Sequence, residues 1–138
     1  MNTSNFHLSL PCQDIVATKA FYINELGFLC GREAHNWIDI SLFGNQITFA
    51  EDSKSKIVTR FYSLDDKRLP LFHIGVILDR KEWEAQLKKH WAKPYLEIEP
   101  TAFLGDKVGE HESFFVKDPN GYYLEFKTFN KPQEIFNQ

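Results

Sequence analysis

The 138-residue sequence predicts an α+β fold made of two β-α-β-β-β modules, and three observations carry that prediction. Two strand openings of one form, Phe6-His7-Leu8-Ser9-Leu10 and Phe72-His73-Ile74-Gly75-Val76, stand 73 − 7 = 66 residues apart. Gly44-Asn45-Gln46-Ile47-Thr48-Phe49 superimposes on Gly121-Tyr122-Tyr123-Leu124-Glu125-Phe126. Each opening is also followed by an amphipathic stretch of helical period. Self-similarity on this scale marks a duplicated supersecondary unit. In its register His7 matches His73, and Thr48 matches Glu125.

The first module spans about 6–51. Phe6 to Leu10 alternates with a period of two, and Pro11 is expected to end that strand. A helix is expected from Asp14 to Leu26, with Asp14 as N-cap and Gly27 at C′. Val16, Ala20 and Ile23 form its inner stripe, widened by Ile15, Tyr22 and Leu26. Strands follow at Phe28–Arg32, Trp37–Phe43 and Gln46–Glu51, the last two joined through Gly44-Asn45.

Residues 52–70, charged and rich in polar side chains, read as a connector, with Ile57 to Leu64 able to add local structure. The second module spans about 71–129. Its helix opens with Asp79-Arg80-Lys81-Glu82, a capping-box arrangement, and carries Trp83, Leu87, His90 and Trp91 as the core stripe until Pro94 stops it. Strands are expected near Tyr95–Glu99, His111–Lys117 and Tyr122–Phe129. Asp118-Pro119-Asn120-Gly121 makes the turn into the last one. The tail, 130–138, is peripheral, and the whole chain, 1–138, reads as one domain.

Composition narrows the functional classes. A formal net charge of −3 gives no attraction to phosphate backbones, so nucleic acid is not an expected partner. No apolar run reaches the length of a membrane span, and no signal peptide is visible. The 2 cysteines, Cys12 and Cys30, are too few for a disulfide framework, which points to a reducing, cytoplasmic setting. Thirteen Phe suggest sheets packed on aromatic side chains, with room for a small ligand.

Glu125 stands in the middle of an apolar strand, and a buried carboxylate needs a cation, a hydrogen-bond network or a metal. The repeat places His7, His73 and Glu125 on equivalent strands facing one cavity. Two imidazoles and a carboxylate are a ligand set for a divalent metal with open positions, suited to Fe(II) or Mn(II). Thr48 falls where a fourth protein ligand would stand and is a poor one. Lys117 or Lys127 is the other partner open to Glu125. Among the remaining histidines, His90 is expected to pack, His35 to be solvated, and His111 to be a candidate for the pocket.

These residues resemble the vicinal oxygen chelate superfamily, which includes glyoxalases, fosfomycin- and bleomycin-resistance proteins and extradiol dioxygenases. The resemblance rests on Phe6-His7, the Leu26-Gly27-Phe28 helix exit, Phe72-His73, and Asp118-Pro119-Asn120-Gly121 leading to Glu125. Gly31-Arg32, Trp37-Ile38-Asp39, Gly44-Asn45-Gln46 and Glu99-Pro100 are similar to a small branch of predicted extradiol-type dioxygenases. It implies a curved mixed sheet around a metal-containing cavity, with His7, His73 and Glu125 as metal ligands. It also implies a divalent metal, Fe(II) favoured and Mn(II) or Zn(II) compatible, a small substrate, aromatic compounds included, and a homodimer. Asn45, Gln46 and Thr48 are then assigned to the substrate pocket.

Extradiol-type dioxygenase chemistry fits the triad best. Thr48 counts against glyoxalase-type isomerisation, and a missing basic cluster counts against fosfomycin-type transfer. Extradiol relatives often read Gly-His-Gln where this chain has Gly44-Asn45-Gln46, so the acid/base falls to His111 or Tyr123. The alternatives are a non-catalytic small-molecule binding protein and a glyoxalase- or lyase-type enzyme.

Overall fold

The structure is a computed structural model that describes residues 4–137. Two compact units emerge, the first running to Ile57 and the second starting at Val58. Each is built around a four-stranded mixed sheet.

In the first unit the strands are β1 (His7–Cys12), β2 (Leu29–Ala34), β3 (Trp37–Leu42) and β4 (Asn45–Glu51), in the order β1-β4-β3-β2. Only the β1–β4 pair is parallel. Pro11 does not end β1, which continues to Cys12. The strand is the edge of its sheet, where a residue lacking an N–H is tolerated on the open side. Helix α1 (Ile15–Lys19) is capped by Asp14, whose carboxylate accepts from the amides of Val16 and Ala17. The expected single α-helix then changes to π-helical bonding over Ala20–Glu25, with Leu26 N–H donating to Phe21 C=O. Phe21 and Tyr22, adjacent in sequence, are both buried there, and Gly27 takes a positive φ of 76° at the exit.

The hairpin between β3 and β4 turns on Phe43 and Gly44, one residue earlier than expected. Both have positive φ, 50° and 89°, as a two-residue primed turn requires. Ile38, Ile40, Leu42, Ile47 and Phe49 form the apolar face with Leu10, Cys12 and the aromatic side chains of the helix. The alternate positions His7, Ser9, Asp39, Ser41, Gln46 and Thr48 share the opposite, polar face.

In the second unit the expected connector contributes a hairpin of its own, β5 (Phe61–Leu64) with β6 (Lys67–Pro70). The sheet consists of β7 (Ile74–Ile77), β8 (Leu96–Phe103), β9 (His111–Lys117) and β10 (Tyr123–Phe129), in the order β7-β10-β9-β8. Again only the first pair is parallel. Helix α2 (Arg80–His90) is capped by Asp79, which accepts from Glu82 N–H at 2.8 Å. Trp83 and His90 bury against Phe114 and Phe126.

Trp91 departs from the expected stripe and is 52% exposed. The backbone leaves the helix at that residue (ψ 134°) and Ala92 has φ 62°, so the helix stops before Pro94 is reached. β8 runs on through Pro100 to Phe103 with two register shifts, longer than expected. Asp118 closes the loop into β10 by accepting from the amides of Asn120 and Tyr122. The tail makes one short 3-10 turn, Pro132–Glu134.

Candidate metal centre

The ladder registers test the duplication residue by residue. Ser9 pairs with Thr48 across β1 and β4, and Gly75 pairs with Glu125 across β7 and β10. Thr48 and Glu125 are therefore equivalent, and His7 and His73 each stand two residues before the paired position. His73 itself lies just outside β7, which begins at Ile74 rather than at Phe72.

Within the second unit His73 and Glu125 come together. His73 Nε2 lies 3.4 Å from Glu125 Oε1, while its Nδ1 is 2.8 Å from the carbonyl oxygen of Pro70. That carbonyl can only accept, so Nδ1 carries the proton and Nε2 is directed at the carboxylate. Glu125 is 7% exposed, and its Oε2 accepts from Ser113 Oγ at 2.6 Å. Lys127 Nζ stands 3.6 Å from Oε1, so of the two lysines proposed as partners it is Lys127 that reaches Glu125. Lys117 lies instead over the ring of Tyr123.

The electrostatics follow from these contacts. Burial alone would push the Glu125 carboxyl up. The His73 hydrogen bond, the Lys127 ammonium and the Ser113 hydroxyl together outweigh it and hold the group below its usual value. The Glu125 hydrogen bond raises the His73 imidazole, against the opposing effect of its own partial burial.

The donor types, an imidazole and a carboxylate, are those that hold a divalent ion. One imidazole nitrogen and one carboxylate oxygen already converge. Each donor is oriented by the partner that metal ligands ordinarily have, a carbonyl behind the imidazole and a hydroxyl behind the carboxylate. Lys127 occupies the place of a cation and would have to swing aside. Among the described residues no group of three or more His, Cys, Asp or Glu side chains is gathered that could hold a metal. His7 lies in the first unit, exposed on β1 and paired in register with Gln46.

The two acid/base candidates differ in surroundings. His111 shares the Glu125 face of the sheet, stacked on Phe103 at 5.2 Å and beside Phe129 at 5.3 Å. Its Nδ1 is 2.8 Å from Gly109 C=O, which leaves Nε2 as an acceptor, and burial lowers its pKa. Tyr123 is 5% exposed and packs with Leu69, Phe103 and Phe115, its ring edge-on to Phe61. His90 is structural, 2.8 Å from the Tyr95 hydroxyl, and burial pushes its pKa down to about 4. His35 is exposed in a turn.

The three substrate-pocket residues lie in the first unit. Asn45 and Gln46 line a cavity of about 220 Å³ together with Gly31, Arg32, Asp39 and Ser41. Asn45 is engaged with the backbone, accepting from Phe6 N–H and donating to Leu42 C=O. The Thr48 hydroxyl is donated to Asp39 at 2.6 Å. Asp39, 5% exposed, was not singled out as a site residue from sequence. Its sequence signal is a carboxylate in mid-strand, the same as for Glu125.

Solved structures share the fold of this chain. The chain is similar to a glyoxalase/bleomycin resistance protein/dioxygenase from Alicyclobacillus acidocaldarius at TM-score 0.82 and 23% identity, covering 96% of each chain. It is similar to the fosfomycin resistance protein FosX from Listeria monocytogenes at TM-score 0.66 and 16% identity, covering 97% of this chain and 98% of that one. The chain has the vicinal oxygen chelate fold. A glyoxalase/bleomycin resistance protein/dioxygenase from Nocardioides matches at TM-score 0.62 and 13% identity, covering 94% of this chain and 85% of that one. No family model matches the chain, and no curated protein matches it in sequence. Among the described residues no helix is long and apolar enough to cross a membrane.

Proposed function

We propose that the protein is a metal-dependent enzyme acting on a small substrate with two adjacent oxygens, with extradiol-type dioxygenase chemistry the leading subtype. The observation that carries this reading is the convergence of His73 Nε2 and Glu125 Oε1, each backed by its own orienting partner. His7, the repeat equivalent of His73, is the third donor. A divalent ion held by these residues, Fe(II) favoured and Mn(II) or Zn(II) compatible, would supply Lewis-acid and, for iron or manganese, redox chemistry.

The chain's own groups do the rest. Pro70 C=O holds His73 in the tautomer that presents Nε2, and Ser113 keeps Glu125 from rotating. His111, with Nδ1 engaged and burial favouring its neutral form, is suited to take a proton from a substrate hydroxyl at Nε2. Tyr123, locked in an apolar cluster, is the weaker candidate. Phe103 and Phe129, flanking His111, offer aromatic surface to an aromatic substrate.

The test is elemental analysis of protein purified anaerobically without chelator, beside a His73→Ala variant. The expected result is near-stoichiometric iron or manganese in the wild type, loss in the variant, and O₂ uptake with catechols. Absence of metal in both after reconstitution would overturn the reading. Homodimerisation is proposed with it, the two copies exchanging ligands. Mixing equal amounts of His7→Ala and Glu125→Gln protein then restores about a quarter of the metal if chains share sites, since about half the dimers are mixed and each holds one intact site, and none if they do not.

One observation favours a second reading, a non-catalytic small-molecule binding protein. Lys127 places an ammonium against Glu125, where it satisfies the carboxylate as a metal would. Tight binding of an aromatic ligand, unaffected by chelator and without turnover, would select it.

A further inference from the structure

The polar face of the first unit carries a second built site. Asp39 is a buried carboxylate with three donors, Thr48 Oγ1 at 2.6 Å on one oxygen, and Gln46 Nε2 and Arg32 Nε at 3.2 Å on the other. Arg32 is thus fixed through Nε alone. Its side chain is 79% exposed, and among the described residues its two Nη groups have no hydrogen-bond partner. A guanidinium recruited only to neutralise Asp39 would present its two-pronged edge to the carboxylate, the stronger geometry. Here only Nε lies within hydrogen-bond distance of Asp39.

Local backbone structure produces this orientation. The β2–β3 register shifts between Cys30 and Glu33, so Gly31 and Arg32 lie in a bulge, a device that re-aims a side chain. A Cβ on Gly31 would stand 3.2 Å from Asp39 Cβ, a tight contact that the bare glycine avoids. Arg32 also lies 5.8 Å from the ring centre of Trp37, which restrains the guanidinium plane. The cavity of about 220 Å³ opens beside these groups. Ser41 lines it, and because its Oγ accepts from Gly44 N–H at 3.2 Å, the hydroxyl proton remains available.

We propose that Arg32, clamped by Asp39, binds a small oxyanion, the carboxylate or phosphate-type end of a ligand, in this cavity. The volume suits a group of a few heavy atoms. The paired Nη edge matches two oxygens of such a group, and the Ser41 hydroxyl supplies a third donor. Asp39 is the positioning residue, spreading its charge over Thr48 and Gln46 so that Arg32 keeps attraction to spare. Gln46 is paired in register with His7, so the site lies one strand from a proposed metal ligand. The binding stands on the first unit alone; its role as the anchor for the anionic end of the enzyme's substrate rests on the metal-centre reading.

The experiment is an NMR titration of the Arg32 side-chain Nε–Hε resonance with inorganic phosphate and, separately, with acetate. It is run on wild type, Arg32→Gln, Asp39→Asn and His73→Ala. A saturable shift in wild type is expected with at least one anion, and the tighter of the two indicates the natural group. Following the same titration through backbone amides of Ser41 and Gly44, Arg32→Gln should weaken binding at least tenfold. Asp39→Asn should weaken it severalfold and move the Arg32 Nε–Hε resonance before any anion is added. In His73→Ala, which lacks the metal site, the affinity should stay as in wild type. No saturable shift with either anion, or binding that survives Arg32→Gln, overturns the proposal. Binding lost in His73→Ala overturns it too, because the anion would then sit on the metal.

Discussion

The two sheets share one register and differ in where they bury charge. In the second unit the carboxylate, Glu125, is on β10 and the hydroxyl that serves it, Ser113, is on β9. In the first unit the roles are reversed: the hydroxyl, Thr48, occupies the place of Glu125, and the carboxylate, Asp39, sits on the neighbouring strand. Moving the charge by one strand changes what it can do. Glu125 meets the imidazole that precedes β7, whereas Asp39 meets an arginine that a bulge has turned toward it. A duplicated scaffold thus supplies an imidazole-paired carboxylate in one half and an arginine-paired one in the other.

The largest effect is expected at the position paired with these residues. Gly75 stands opposite Glu125, and a Cβ there would lie 2.3 Å from the Glu125 carbonyl oxygen. Backbone, not a flexible side chain, would have to move. Gly75→Ser, which installs the first unit's residue, should cost about 3 kcal/mol by overpacking. The reverse exchange, Ser9→Gly, should cost about 0.5–1 kcal/mol through chain entropy. Urea unfolding of both variants checks this, and similar losses would mean that Gly75 does not approach the Glu125 backbone more closely than Ser9 approaches Thr48.

Next in size are the two serving hydroxyls. Ser113→Ala leaves Glu125 Oε2 buried without its donor, costing about 1–3 kcal/mol. It should also weaken metal binding on the order of tenfold. Thr48→Ala should cost about 1 kcal/mol, since Asp39 keeps Gln46 and Arg32. It should leave metal affinity within about twofold, being outside the ligand shell. Metal titrations that respond equally to both substitutions would remove the distinction between the halves.

Most of the fold was legible in the sequence because it is carried by local, periodic signals. The order of the module strands, the caps at Asp14 and Asp79, and the Asp118–Gly121 turn stand as expected, while the ends of β1, β7 and β8 shift. What escaped depends on partners distant in sequence. Pro11 reads as a strand end unless the strand is known to be an edge. Trp91 fits the helix stripe in sequence but follows a backbone that has already turned. The π-helical bonding over Ala20–Glu25 leaves no periodic signature in so short a helix. At the site, the His73–Glu125 pairing followed from the repeat. The Asp39–Arg32 clamp did not, because a bulge breaks the pattern by which strand neighbours are read.

A smaller effect comes from the charge pair in the metal-free protein. His73 is raised above 6.5, so its stabilising contribution is whole below 6.5 and is lost as pH climbs through its folded value. Glu125 is lowered below 4.5, so its contribution is whole above 4.5 and is lost as pH falls through its folded value. Stability from this pair therefore peaks between the two and declines on both sides. In Glu125→Gln protein the His73 imidazole resonances should titrate closer to 6.5 than in wild type. An unchanged midpoint would mean that the contact does not exist in solution.

The smallest effect is expected at Lys127, whose equivalent by ladder register is Ala50. Its ammonium neutralises Glu125 at 3.6 Å and also lies over the Phe129 ring. Lys127→Ala imports the first unit's residue and strips the carboxylate of a competing cation. In the metal-free protein the loss should stay under about 1 kcal/mol, because the ammonium is partly solvated. Metal affinity should rise roughly threefold to tenfold, since a like charge no longer stands beside the incoming ion. The rise should shrink with added salt to the extent that solvent reaches the lysine. A fall in affinity would show that Lys127 supports the bound state, and would place it with the ligands rather than against them.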